Sequence, residues 1–251
     1  MMSRLVMLGT AAAVPNASHQ NTYMVLDGPG GAVLIDCAGS PIGRLEQAGV
    51  PFAALNDIII THIHPDHAYG FPLLLMGLWL LGRKAPLRVH ALDGVLARLR
   101  AVMDGYDWND WPRFYPVLFE AVEEKVGAPV LETADFRITA ARNQHMTPTI
   151  GVRIEHKANG RVAAYSSDTA PCDEIVELAR GADLLFHEAA GETPGHSSAA
   201  MAGETARKAG VKKLVLVHYQ VSADPDGLAA EAEAAFGGPV EVAQDLAEYA
   251  L

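Results

Sequence analysis

Cysteine is nearly absent: Cys37 and Cys172 are the only two in 251 residues. Disulfide frameworks belong to small secreted domains in oxidising compartments, so free thiols in a reducing cytosol are expected instead. Long apolar runs are missing as well. The most hydrophobic stretch, 71–81, is broken by Pro72 and Gly77 and falls far short of the ~20 residues that cross a bilayer; it reads as a buried helix. Residues 1–8 lack the extended apolar centre of a signal peptide. Positive charge is scarce, with a net −11 and a pI near 5.3, so no broad polyanion-binding surface is expected. No linker, low-complexity tract or charge block divides the chain. The expectation is a soluble, cytoplasmic protein of one domain, 1–251.

What is abundant is apolar residues, half of the composition, arranged as short strand-like runs punctuated by turn residues. The first strands are expected at 4–9, 21–27 and 32–36, the last of these covered on both faces because Ala32-Val33-Leu34-Ile35 is continuously apolar. A short helix follows at 41–49, a buried strand at 57–61, a helix at 71–81, a strand at 87–91 and a helix at 92–103. From residue 136 strands return at 136–141, 150–156 and 161–166. Asn159-Gly160 reads as a type I′ hairpin turn. Then come a helix at 173–180, a strand at 183–187, a helix at 198–209 capped by Ser197 or Ser198 and closed by Gly210, a strand at 214–217, a helix at 225–235 and a last strand at 240–243. Strands first pair, then alternate with helices, and the pattern repeats loosely. Two mixed sheets face to face with helices outside, a four-layer αββα sandwich of the α/β class, would bury such runs.

The densest chemistry lies in Thr61-His62-Ile63-His64-Pro65-Asp66-His67, just after Ile58-Ile59-Ile60. Crowding three imidazoles and a carboxylate is costly unless a cation holds them, and divalent ions such as Zn²⁺ take such ligands at about 2.0–2.2 Å. In an extended segment His62 and His64 point the same way and can share one ion. Asp66 and His67 fall beyond the Pro65 turn and could serve a second. Further along, His145, Asp168 and His218 each stand just past an apolar strand, where sites of α/β folds lie.

The H-x-H-x-D-H pattern after a hydrophobic strand resembles the signature of the metallo-β-lactamase superfamily of hydrolases, whose fold is the αββα sandwich. The resemblance implies two divalent metal ions. His62, His64 and His145 would hold the first, Asp66, His67 and His218 the second, with Asp168 bridging. Zn²⁺ suits the His-rich set, while two carboxylates leave Mn²⁺ or Fe open. A metal-bridging hydroxide would then attack the substrate.

Leu8-Gly9-Thr10, the strand containing Asn21, the Asp36-Cys37 turn, His187-Glu188-Ala189 and Gly195-His196-Ser197-Ser198 are similar to the ribonuclease Z and arylsulfatase-like branch. That likeness implies a proton relay through Glu188 and His196, so the expected catalytic set is Asp66, Glu188 and His196. Two features depart from the branch. Members that process tRNA carry a long arm between the third His and the Asp, whereas only a hairpin fits between His145 and Asp168; and Gly-Glu-Gly-Thr is missing after Asp36. The function implied is a dinuclear metal phosphodiesterase acting on a small-molecule phosphodiester, such as a cyclic nucleotide or an aryl phosphodiester. The alternatives are a carboxylic ester, lactone, thioester or aryl sulfate hydrolase with the same metals, a tRNA 3′-processing endonuclease and a non-enzymatic metal-binding or nucleic-acid-binding module.

An aromatic segment, 106–119, with prolines at 112 and 116 that oppose a continuous helix, is open to three readings: a lid over the site, a packed connection or a homodimer surface. No membrane partner is expected. His19 lies in a polar loop, and His90 and His156 lie in or at strands as structural or exposed groups.

Overall fold

The computed structural model describes residues 3–251. Its first half runs β1 (Arg4–Gly9), β2 (Tyr23–Gly28), β3 (Gly31–Ile35), α1 (Pro41–Gln47), β4 (Leu55–Ile59), α2 (Pro65–Ala68), α3 (Phe71–Leu80), β5 (Leu87–Ala91), α4 (Asp93–Asp104) and β6 (Val117–Ala121). The second half runs β7 (Ala128–Glu132), β8 (Phe136–Arg142), β9 (Ile150–His156), β10 (Val162–Tyr165), α5 (Asp173–Ala179), β11 (Leu184–Ala189), α6 (Ala199–Ala209), β12 (Lys213–Tyr219), α7 (Pro225–Phe236), β13 (Val240–Val242) and β14 (Glu248–Ala250).

Two seven-stranded mixed sheets result, in the orders β14-β1-β2-β3-β4-β5-β6 and β13-β12-β11-β10-β9-β8-β7. Each sheet has three antiparallel pairings on one side (β14-β1-β2-β3 and β7-β8-β9-β10) and three parallel ones on the other (β3-β4-β5-β6 and β10-β11-β12-β13). The halves thus repeat one topology, and β14 returns to complete the first sheet.

Apolar alternation explains the layers. Val33 and Ile35 face the inter-sheet core with Met24, Ile59, Phe136, Ile154 and Phe186. Ala32 and Leu34 face outward under the helices that cover the first sheet, with Leu45, Leu74 and Leu96. The second sheet's outer face packs against α6 and α7 through alanines such as Ala202, Ala206 and Ala232. Small residues let these helices lie close. Ser198 caps α6 by accepting from Met201 N–H, as expected from the sequence.

Two expectations need correction, and one of the three readings of the aromatic segment is the one observed. Helix α3 is buried on one face only: Leu73 and Leu80 are 55% and 69% exposed, because no element covers its outer side. The 156–161 connection is a hairpin but not a type I′ turn. Gly160 has φ +71° while Asn159 is not left-handed; its Oδ1 instead accepts from Arg161 N–H. The aromatic segment is a packed connection. Trp111 stacks on Trp79 of α3 at 5.1 Å, Trp79 Nε1 donates to Pro112 O, and the segment lines a cavity of its own with Arg100. It is no lid. Among the described residues no helix is long and apolar enough to cross a membrane.

Candidate metal centre

Parallel strands deliver their chemistry at one end, and here both sheets deliver to the same end. Beyond β4, His62 and His64 sit on extended backbone, and Pro65 starts the α2 turn that carries Asp66 and His67. His145 follows β8, Asp168 follows β10, and His218 lies within the end of β12. All seven residues singled out in the sequence meet. His62, His64, His145 and Asp168 form one group of potential ligands, and Asp66, His67, His218 and Asp168 another, each with its ligand atoms within 4.8 Å of one another.

Asp168 divides its oxygens between the groups. Oδ2 lies 3.8 Å from His62 Nε2 and 3.9 Å from His145 Nε2; Oδ1 lies 3.3 Å from His67 Nε2 and 3.5 Å from His218 Nε2. His145 Nε2 is 3.1 Å from His64 Nδ1, and His67 Nε2 is 3.3 Å from His218 Nε2. Ligands about 2.1 Å from a tetrahedral ion stand about 3.4 Å apart, so these separations fit cations.

The outer ring nitrogens give a second reason. His62 Nδ1 is paired with Thr61 Oγ1 at 3.1 Å, His67 Nδ1 donates to Asp36 Oδ2 at 2.8 Å, and His145 Nδ1 donates to Gly195 O at 2.7 Å. Each bond places the ring proton on the outer nitrogen and turns the Nε2 lone pair inward. Buried His62 Nε2 and Asp168 Oδ1 have no hydrogen-bond partner in the protein. Orphaned lone pairs facing one another are costly without a cation between them. Divalent metal ions fit the residues present.

Without ions the charges polarise one another. Burial pushes the His62 imidazole well below its ordinary value, and His67 adds to this. Burial would likewise lower His67, but Asp168 and Asp36 outweigh it and hold that ring well above the usual range. Burial works against an ionised Asp168, yet His218 and His67 keep its carboxyl well below the ordinary range.

Sequence reasoning missed the supporting layer. Asp36 was read as a turn residue; fully buried, it accepts from Thr61 N–H at 2.8 Å and Thr61 Oγ1 at 2.9 Å as well as from His67. Ser167 Oγ donates to Thr61 Oγ1 at 2.9 Å, tying the second sheet to the first. Asp36, Ser167 and His218 have φ of +62°, +51° and +48°, a sparsely populated region that the surrounding hydrogen bonds hold at the centre. The available signal was a charged Asp36 directly after a continuously apolar strand.

Glu188 and His196 also come to the centre. His196 Nδ1 donates to Glu188 Oε1 at 2.9 Å, and buried Glu188 accepts from Thr169 N–H and Ala190 N–H at 2.8 and 3.0 Å. The His196 ring lies parallel to His218 at 5.9 Å and edge-on to His145 at 4.9 Å. The hydrogen bond to Glu188 raises the His196 pKa above its ordinary value, with burial opposing. Both metal groups and His196 face a cavity of about 600 Å³. The four remaining histidines stay out: His90 bonds Asp57, His156 bonds Asn159, buried His187 donates from Nδ1 to Glu188 O, and His19 sits on an exposed loop beside Asn16.

Among curated proteins, the chain is 28% identical over 300 residues to a ribonuclease Z of Methanothermobacter thermautotrophicus, covering 98% of this chain and 95% of the relative. It is 30% identical over 307 residues to a ribonuclease Z of Salinibacter ruber, covering 98% and 94%. Among solved structures, the metallo-β-lactamase fold protein YhfI from Bacillus subtilis superposes with a TM-score of 0.83 at 21% identity over 99% of both chains. A family model described as Anti-Pycsar protein Apyc1 matches residues 3–237. With that match spanning both sheets, the chain belongs to the Anti-Pycsar protein Apyc1 family, in the ribonuclease Z-like branch of the metallo-β-lactamase superfamily.

Proposed function

We propose that the chain is a dinuclear metal-dependent phosphodiesterase of the ribonuclease Z-like type, acting as one cytoplasmic domain on a small phosphodiester such as a cyclic nucleotide. The observation that carries the reading is His196, held by Glu188 with its Nε2 free toward the cavity that both metal groups face. His62, His64 and His145 would hold one ion and Asp66, His67 and His218 the other, with one oxygen of Asp168 for each; Zn²⁺ suits five imidazoles. Such ions, when bound, acidify water and neutralise charge developing at phosphorus.

The chain's own residues do the rest. Glu188 accepts the Nδ1 proton, fixes the ring and favours the protonated imidazole. His196 Nε2 then gives its proton to the departing oxygen, which an alkoxide needs and a nitrophenolate does not. A small substrate is favoured because only the β9–β10 hairpin stands between His145 and Asp168, where an arm gripping a large nucleic acid would project. The exposed stripe Tyr69, Leu73, Met76 and Leu80 on and before α3 supports a homodimer, which sedimentation would count.

The test is turnover of bis(4-nitrophenyl) phosphate and a cyclic nucleotide by metal-replete protein, beside a lactone, a thioester and an aryl sulfate. Robust lactone or sulfate turnover with inert phosphodiesters would reject the reading. His196→Ala is expected to cost at least about tenfold, ~1.4 kcal/mol of barrier, with the cyclic nucleotide and much less with the nitrophenyl ester.

A further inference from the structure

Exposed apolar side chains are ordinary when they stand singly on a surface. Val14 and Met146 do not stand singly. At 77% and 67% exposure they are among the most exposed large apolar residues of the described chain, and both line the metal-site cavity. They reach it from two separate loops, one following β1 and one following β8. Neither loop is loose. Ala12 N–H donates to Tyr219 O at 2.9 Å and Asn16 N–H to His19 O at 3.0 Å, which brackets Val14. Met146 directly follows His145, whose ring is fixed by Gly195 O, and the turn beyond it is held by Thr149 Oγ1 donating to Thr147 O at 2.8 Å. The bond that aims His145 also places its neighbour Met146, and backbone bonds on either side fix the loop that carries Val14.

The same cavity has a second property. No lysine or arginine lines it; apart from the metal and proton-relay groups its walls are small apolar residues and the polar Thr193, Gln220 and Ser222. A second phosphate lying beyond reach of the metal groups and His196 would therefore find no lysine or arginine to pair with. At about 600 Å³ the space suits one small ligand.

We propose that Val14 and Met146 are specificity-determining residues that clasp an uncharged, preferably flat substituent of the phosphodiester, in a pocket that admits a single negative charge and rejects a second phosphate. The inference rests on the phosphodiesterase reading. Methionine suits the role, since its flexible thioether moulds to aromatic faces, while the stiff Val14 offers a fixed wall.

The experiment keeps one leaving group and varies what remains. With metal-replete protein, kcat/KM is measured for 4-nitrophenyl phosphodiesters whose second ester is methyl, butyl or phenyl. It is also measured for thymidine 5′-(4-nitrophenyl phosphate) with and without a 3′-phosphate. The native chain is expected to favour phenyl over methyl by about tenfold or more, mainly through KM, and to discriminate at least tenfold against the 3′-phosphate. Met146→Ala and Val14→Ala should flatten the methyl-to-phenyl rise. Met146→Lys should narrow the discrimination against the 3′-phosphate about fivefold by supplying an exposed cation. Equal rates across the ester series, or alanine variants with the native preference, overturn the clasp and leave the phosphodiesterase reading standing. Equal acceptance of the 3′-phosphate overturns the charge rule. Inert phosphodiesters beside an active lactone overturn the functional reading, and the clasp with it.

Discussion

Replacing Asp36 by asparagine isolates what the supporting layer contributes, because size and backbone are preserved. Asparagine tolerates the φ of +62° found there. In the native chain the Asp36 carboxylate accepts from Thr61 N–H at 2.8 Å, Thr61 Oγ1 at 2.9 Å and His67 Nδ1 at 2.8 Å. The amide offers one acceptor oxygen and one NH₂. Turned either way, it sets a donor against a buried donor, His67 Nδ1–H or Thr61 N–H, which costs about 1–3 kcal/mol. If the strain is relieved by moving the His67 proton to Nε2, the lone pair that should face the second ion is lost. Outer-layer changes of this kind typically weaken metal binding about 10–100-fold, or about 1.4–2.7 kcal/mol. Competition against a chelator of known affinity reads this directly, and elemental analysis after dialysis counts the ions retained. The expected result is weaker binding at one of two sites, with activity largely regained at high metal concentration. Native affinity within about threefold would mean that His67 needs no such support, and the account of the inward lone pairs would fail.

Gly195 tests the same geometry from the other side. It has φ +80°, and an added Cβ would lie 2.9 Å from His145 Nδ1 and 3.2 Å from Met146 N; Gly195→Ala should displace His145 and lower metal occupancy about tenfold. Full occupancy by elemental analysis would contradict the role given to Gly195 O. Far from the centre, buried Asp57 accepts from Arg88 Nε and Nη2 and from His90 Nε2, each at 2.7 Å. Burial pushes its pKa up, but these partners outweigh it and hold the carboxyl below its ordinary value. A depressed carboxyl contributes stability that is complete above the unfolded value of about 4 and drains away as pH falls below it. Asp57→Asn should cost about 2 kcal/mol near neutrality, a difference that shrinks below about pH 4; thermal unfolding of both chains across pH checks the sign.

The sequence announces whatever local pattern decides. Continuous apolarity at 32–35 predicts a strand covered on both faces, and Val33 and Leu34 do face different cores. The seven metal-site residues are legible because each is a polar exception at the end of an apolar run. What local pattern cannot carry is partnership. The short strands β6, β7 and β14 owe their existence to neighbours at the sheet edges, so residues 117–121, 128–132 and 248–250 give little sign of strand on their own. Helix α3 reads as buried because its composition is apolar nearly all round, while its burial is settled by what is absent from its outer side. The aromatic segment stays open to three readings in the sequence because nothing in a linear chain says that Trp111 finds Trp79 rather than the metal site. Asn159-Gly160 fixed the hairpin, but the side-chain bond from Asn159 chose the turn type.

The repeated topology explains why the site needs the entire chain. The first half supplies His62, His64, Asp66 and His67 and the second supplies His145, Asp168 and His218, each from the same end of equivalent sheets. Neither half holds a complete set: without Asp168 and His145 the first ion keeps two imidazoles, and without His218 and Asp168 the second keeps one imidazole and one carboxylate. The seam is closed by Ile150 N–H donating to Thr61 O at 3.2 Å and Ser167 Oγ to Thr61 Oγ1 at 2.9 Å, both at the metal end. Ligand atoms that repel or stand unpaired without ions sit on the two sides of that seam, so ion binding must favour the docked sheets over the parted ones. Thr61 is the point where this coupling concentrates. It donates to Asp36 and pairs with His62 in its own half and accepts from Ser167 and Ile150 of the other, so the geometry of the ligands and the docking of the sheets are set by the same few hydrogen bonds.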